Sequence, residues 1–238
     1  MKVTYIYHSC FSIELNHIIL VFDYFKGKIP DFDKNKNIYV FSSHKHHDHF
    51  SLSMFHEFEK YPKVKYILSN DIKLNEKYLA NHQIDPSVKE NIINVQANKE
   101  YVIDELKVET LKSTDLGVAF IVHAEEKTIY HAGDLNWWYW KAESEIYNTN
   151  MENKFKNELA LIKNRKFDLA FLPTDSRQEE DCWLGFNYFM NITNTCCAFP
   201  MHFWEDYSVM DHLEKIAITN GYKNNVFMIE GDGQQWEV

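Results

Sequence analysis

The stretch NIYVFSSHKHHDHF (37–50) sets an apolar, β-branched and aromatic run directly before four histidines and one aspartate packed into positions 44–49. The run predicts a strand, and the histidines fall where that strand stops and a loop begins. Along an extended segment alternate residues point the same way, so His44 and His46 can converge on one point. Asp48 and His49 lie further along the turn and can converge on a second. One zinc ion takes about four ligands, at roughly 2.0–2.2 Å from nitrogen or oxygen. Four ligands shared between two neighbouring ions leave each ion half-filled, so other parts of the chain must supply the rest.

The remainder of the chain is ordinary globular material. Of its 238 residues, 45% are apolar and 25% charged, with only 7 Gly and 5 Pro. Such a composition predicts a sizeable core and no low-complexity linker. The formal net charge of −10 repels phosphate backbones and anionic lipid surfaces. A nucleic-acid coat protein is therefore disfavoured, whereas a small anionic substrate drawn in by a local cation is not. The opening MKVTYIYHSC has no secretory-signal pattern. Residues 182–204 carry no Asp, Glu, Lys or Arg, but Asn187, Asn191, Asn194, Pro200 and His202 interrupt them, which predicts buried interior rather than a membrane helix. Cys10, Cys182, Cys196 and Cys197 form no zinc-knuckle or disulfide spacing, and a reducing cytoplasmic setting is expected.

Periodicity predicts strands at 2–8, 11–15 and 18–22, then 37–44, a helix over 51–61 with Ser51 or Ser53 as N-cap, a strand at 64–69 and a helical stretch over 71–82. A second strand-rich block follows: 101–111, 117–124 and 127–134 read as a meander. Next come an amphipathic helix over 151–166 with Phe155, Leu159 and Ile162 on one stripe, and an apolar strand at 167–173. A helix over 207–221 closed by Gly221 and a strand over 225–233 complete the chain. Two strand-rich blocks, each leading into strands interleaved with helices, predict two packed sheets flanked by helices. The expectation is a single domain spanning 1–238 with internal pseudo-symmetry.

The spelling His44-x-His46-x-Asp48-His49 after an apolar strand resembles the signature of the metallo-β-lactamase superfamily. YHSCFSIEL with VFDYF (7–25) resembles the opening of its lactonase-like subgroup, and the resemblance runs from about residue 5 to about 232. It implies an α/β fold, a four-layer αββα sandwich of two mixed β-sheets flanked by helices. It also implies two further ligands at later strand ends. Gly133-Asp134 in YHAGDLNWW matches the metal-bridging aspartate, and His202 in FPMHFW matches the C-terminal histidine. The family also places a histidine, closely followed by glycine, before the bridging aspartate. Here LKSTDLGVAF (111–120) has none, and Asp115 or Thr114 stands in its place. Carboxylate is the better ligand of the two, so Asp115 is expected, against the plainer reading of a turn aspartate before Gly117. Asp48, Asp115 and Asp134 would make the shell more anionic and its ions weaker Lewis acids. Two divalent ions are implied, zinc first, with manganese or iron favoured by the harder oxygen ligands.

The implied activity is that of a metal-dependent hydrolase, in which a metal-activated water attacks a small anionic ester-type substrate: a phosphodiester, a phosphoester or a lactone. A non-catalytic metal-binding or sensing protein with a degenerate first site is the alternative. A redox di-iron relative would carry glutamate in place of His46. Asp48 and Asp134 orient or bridge, while His8 lines the pocket and donates to the leaving group, or is an interior histidine with its hydrogen bonds satisfied. His131 reads as a buried supporting residue and His47 as surface. NWWYW (136–140) is an apolar substrate wall or a packing surface for helices. Arg177 clamps an anion or pairs with Asp175 or Asp181, and Glu205 and Asp206 are solvated. Nothing in the sequence speaks to oligomeric state.

Overall fold

The run before the histidines forms β4 (Asn37–Ser42) in the computed structural model, which describes all 238 residues. The chain divides into two compact units, residues 1–96 with 231–238, and residues 97–230. The first unit is built on a seven-stranded mixed sheet. Its members are β1 (Lys2–Tyr7), β2 (Cys10–Glu14), β3 (Ile18–Phe22), β4, β5 (Val64–Ser69), β6 (Ile92–Val95) and the last strand of the chain, β13 (Gln235–Glu237). Their spatial order is β13-β1-β2-β3-β4-β5-β6. Pairing is antiparallel from β13 to β3 and parallel from β3 to β6. Buried on both faces, β3 and β4 read as continuous apolar runs, as interior parallel strands do. One face, carrying Ile19, Val21, Ile38, Val40, Tyr66 and Leu68, packs with Met54, Phe55 and Phe58 of helix α1 (Ser53–Phe58) and Leu79 of α2 (Glu76–Asn81). Each such side chain stabilises the sheet–helix layer by about 1.5–3 kcal/mol.

The second unit repeats the plan on a six-stranded mixed sheet. It contains β7 (Glu100–Ile103), β8 (Leu106–Lys112), β9 (Val118–Ala124), β10 (Lys127–His131), β11 (Lys166–Pro173) and β12 (Asn194–Met201), in the order β12-β11-β10-β9-β8-β7. The first four pair antiparallel, and β10, β11 and β12 are parallel. Three helices accompany them: α3 (Glu145–Leu159), α4 (Leu184–Ile192) and α5 (Val209–Thr219). Phe189 of α4 lies against Tyr130 and Phe167 of β10 and β11, and Phe155 of α3 meets Tyr188 of α4. Pro200 sits in β12, an edge strand, where the missing N–H costs no ladder bond.

Several elements depart from the sequence expectation, each for a local reason. Residues 101–111 are a hairpin rather than one strand, because Asp104 takes a left-handed φ of 51° and turns Ile103 back onto Leu106. Aspartate tolerates that conformation better than most residues, though it is a weaker turn signal than Asn-Gly. The helix expected over 151–166 begins six residues earlier, at Glu145, where the Ser144 hydroxyl accepts from the Tyr147 N–H. It ends at Leu159 in a short 3₁₀ turn, and Phe155, Leu159 and Ile162 are buried as expected. The helical stretch over 71–82 shrinks to Glu76–Asn81, capped by the Asn75 side chain. The N-cap position of α1 is Leu52 rather than Ser51 or Ser53, and the Ser51 hydroxyl accepts from the Ser53 N–H at 3.2 Å from one residue earlier. The charge-free span 182–204 resolves into α4 and β12, and no helix of the chain is long and apolar enough to cross a membrane. Residues 225–233 make only one bridge, Ala198 to Val226, and the closing strand comes later, as β13.

Candidate metal centre

In each unit the expected ligands fall at the C-terminal ends of strands that run the same way. In the first unit β1, β3 and β4 end at His8, Asp23 and the Ser43–His49 loop. In the second, β8, β10, β11 and β12 end before Asp115, Asp134, Asp175 and His202. Carboxyl ends of parallel strands are where open α/β sheets place their ligands, because the following loops diverge there and leave a crevice.

Within the first unit the imidazoles are oriented by one carboxylate. Asp23 is fully buried and has a left-handed φ of 48° at the end of β3. It accepts from the Ser43 N–H and hydroxyl, both at 2.7 Å, and lies 2.7 Å from His49 Nδ1. The bond to Asp23 makes His49 Nδ1 the donor and leaves the lone pair on Nε2, which faces Asp48 Oδ2 at 3.7 Å. Ser43 spends its proton on Asp23, so its oxygen accepts from His44 Nδ1 at 3.0 Å. The lone pair of His44 then sits on Nε2, 2.9 Å from His46 Nδ1. His8 Nε2 lies 3.5 Å from Asp48 Oδ2, and the ligand atoms of His8, Asp48 and His49 lie within 4.8 Å of one another. His47 turns outward with 87% of its side chain exposed.

The second unit builds the same device from different residues. His202 Nδ1 lies 3.0 Å from Asp175, a fully buried carboxylate at the end of the neighbouring parallel strand β11. That bond leaves the His202 lone pair on Nε2, 3.3 Å from Asp134 Oδ1. A lone pair beside a carboxylate oxygen suits a shared cation, so this donor set fits a divalent metal. Burial pushes the Asp175 pKa up, but hydrogen bonds from Arg177 and then His202 outweigh it and hold the carboxyl at about 2. Gly133, with φ 50°, turns the chain so that Asp134 follows directly after β10. Asp115 is exposed, and its carboxylate lies within 4.8 Å of that of Asp134. The Thr114 hydroxyl is instead bonded to the backbone at Asp134 and Asn136, where it pins the loop after β10.

Other residues singled out by sequence take supporting places. His131 is buried, accepts from the Gly133 N–H at 3.2 Å and packs near Phe171. Arg177 pairs with Asp175, not Asp181. The aromatic run divides its work. Trp137 lies against Phe155 and Tyr188 of the helices, whereas Trp138 donates to the Asp134 carbonyl at 3.0 Å and meets the His202 ring edge-on. Glu205 and Asp206 are exposed. Sequence reading passed over Asp23 and the bond from Asp175 to His202. The available signal was an aspartate closing an apolar strand next to the histidine-bearing one, in VFD and LPTD.

Residues 2–143 match the Beta-lactamase superfamily domain. Among solved structures the chain is similar to Igni18, a metallo hydrolase from the archaeon Ignicoccus hospitalis, with TM-score 0.63, 17% identity, and 100% and 98% of the two chains covered. It is similar to the metallo-β-lactamase fold protein YhfI from Bacillus subtilis, with TM-score 0.64, 15% identity and 99% of each chain covered. It is also similar to CmlA, a diiron β-hydroxylase from Streptomyces venezuelae, with TM-score 0.65 and 9% identity, where it covers all of this chain and 54% of that one. Comparison with curated protein sequences gives no match. Two mixed sheets flanked by helices and a family match over more than half of the sequence lead to one conclusion: the chain belongs to the β-lactamase superfamily and has the metallo-β-lactamase fold.

Proposed function

We propose that the chain is a metal-dependent hydrolase of small ester-type substrates, and that His44, His46, Asp48, His49, Asp115, Asp134 and His202 hold two divalent ions. One observation carries this reading. Each unit independently ties a histidine Nδ1 to a buried aspartate at the end of the adjacent parallel strand and turns its Nε2 onto a second aspartate. Asp23 and His49 do so beside Asp48, and Asp175 and His202 do so beside Asp134. On this reading residues 1–238 act as one catalytic domain. When bound, the ions supply Lewis acidity and bring the pKa of water towards neutrality. Asp48 and Asp134 orient the attacking water, and His8, 3.5 Å from Asp48, protonates the leaving group. Trp138 and its neighbours shield one side of His202 from solvent. The substrates proposed are phosphodiesters, phosphoesters and lactones. Zinc is the proposed metal, with manganese or iron the alternatives that three carboxylate ligands favour. Four free cysteines suit a reducing, cytoplasmic location.

Elemental analysis of purified protein, paired with turnover of phosphodiesters, phosphomonoesters and lactones in Zn²⁺ and Mn²⁺, tests the reading. The expected metal-to-chain ratio is near two, and His49→Ala and Asp134→Ala each lose most of the bound metal. Full metal content in Asp134→Ala sinks the bridging assignment. A ratio near one removes Asp115 from the ligand set.

A further inference from the structure

Arg177 has an arrangement that pairing with Asp175 alone does not require. Its backbone N–H and Nε both donate to Asp175 Oδ1 at 2.9 Å, Nε also reaches Oδ2 at 3.0 Å, and Nη2 bonds Oδ2. These bonds use the Nε–Nη2 edge of the guanidinium and fix its plane. The Cζ atom lies 5.9 Å from the ring centre of Trp140 and 5.9 Å from that of Trp204, so two indoles flank the cation. Yet the Arg177 side chain is 57% exposed, whereas Asp175 beneath it is fully buried. The exposed side of the guanidinium is therefore framed by indole rings while its Nε–Nη2 edge is tied to Asp175.

The position of this cation is also informative. Asp175 Oδ2 is bonded by both Arg177 Nη2 and His202 Nδ1, so a single carboxylate oxygen separates the guanidinium from the imidazole of a proposed metal ligand. Trp138 meets the His202 ring at 5.5 Å, and Trp204 meets it at 6.1 Å. Trp138 and Trp140 are stacked with an interplanar angle of 1°. Together the three indoles and the guanidinium form one wall around His202. Rigid guanidinium planes suit carboxylate and phosphate oxygens, and indole faces suit the apolar body beside them.

We infer that Arg177, framed by Trp140 and Trp204, is the specificity-determining residue that binds an oxyanion, carboxylate or phosphate, on the substrate. This assignment rests on the hydrolase reading for its catalytic meaning, but anion binding can be measured without turnover. Two esters with one leaving group test it in the metal-loaded full chain: 4-nitrophenyl hydrogen glutarate, which carries a terminal carboxylate, and the neutral 4-nitrophenyl butyrate. In Arg177→Met, kcat/KM for the glutarate ester falls about 10–100-fold, mostly through KM, as expected for loss of a charge-assisted hydrogen bond. The butyrate ester loses only what the loosened Asp175–His202 contact costs, so the ratio of the glutarate to the butyrate value drops. Trp204→Leu, which leaves the pair with Asp175 in place, gives a smaller loss on the glutarate ester alone. Equal losses on both esters would reduce Arg177 to a support for His202, and an unchanged glutarate ester would remove it from recognition altogether.

Titration with glutarate, and separately with inorganic phosphate, followed by tryptophan fluorescence, keeps the two claims apart. Saturable binding that needs Arg177 in a protein that turns over neither ester leaves this assignment standing and removes the hydrolase reading. Ester turnover without Arg177-dependent anion binding does the opposite. Stronger binding of glutarate or of phosphate identifies the substrate's anion.

Discussion

A single buried carboxylate governs three polar groups in the first unit. Asp23 bonds His49 directly and reaches His44 through Ser43, so it fixes the tautomer of two proposed ligands without being one itself. Its left-handed φ of 48° costs on the order of 1 kcal/mol, a strain tolerated where geometry matters more than stability. Asp23→Asn keeps the size but places an amide N–H against a donor on one side. Metal affinity is expected to fall about 10–100-fold, as for other carboxylates that buttress metal-bound histidines. Chelator competition measures this, and an affinity unchanged in Asp23→Asn would mean that His49 is oriented by packing alone. The proposed ligands other than Asp115 stood out in the sequence as histidines or aspartates closing apolar runs at family spacing, whereas Asp115 occupies a place where the family has a histidine. Their buttresses were not, because a strand-ending aspartate looks the same whether it caps a turn or holds an imidazole. Only the parallel register, with Phe22 opposite Phe41 and Pro173 opposite Met201, sets Asp23 beside Ser43 and Asp175 beside His202.

At the scale of elements, strands were easier to read than helices. Alternation and apolar runs located most strands, while helix bounds moved by several residues because caps such as Ser144 and Asn75 lay outside the periodic stretch. α4 was hidden inside a span with no charge, where periodicity alone does not separate a buried helix from a buried strand. This helix has a specific steric link to the loop bearing Asp134. A Cβ added at Gly185 would meet Asn136 Oδ1 at 1.9 Å and the Trp137 nitrogen at 3.1 Å. Asn136 is buried and bonded to Gln178, so it cannot swing clear cheaply. Gly185→Ala therefore costs about 1–3 kcal/mol, seen as a Tm several degrees lower, and it lowers metal content by displacing the Asp134 loop. Gly231→Ala is the control, because a Cβ there meets nothing within 4 Å and leaves Tm where it was. A Gly185→Ala protein with unchanged Tm would mean that α4 and the loop move together freely.

Across the whole molecule, the doubled plan of the chain was visible as two strand-rich blocks, but the pairing that makes each sheet mixed was not, because register depends on contacts distant in sequence. One such distant contact carries a measurable pH signature. Glu109 of β8 takes both guanidinium nitrogens of Arg165, at 2.8 and 2.9 Å, and lies 2.7 Å from His123 on β9. The Arg165 hydrogen bonds, against the opposing pull of burial and helped by His123, hold the Glu109 pKa at about 2, below its ordinary 4.5. A carboxyl depressed in the folded state stabilises it fully above the unfolded pKa, and that contribution drains away as pH falls through the folded one. Glu109→Gln is therefore expected to lose about 1–2 kcal/mol at pH 7 in urea unfolding, the range for a partly buried bidentate pair. The same loss should persist at pH 5.5 and shrink by pH 3.5, where the unfolded wild type has taken up its proton. Metal release at low pH affects both proteins alike, so the gap between them isolates Glu109. A gap that stays constant down to pH 3.5 would mean that packing, not charge, joins β8 to the turn after α3.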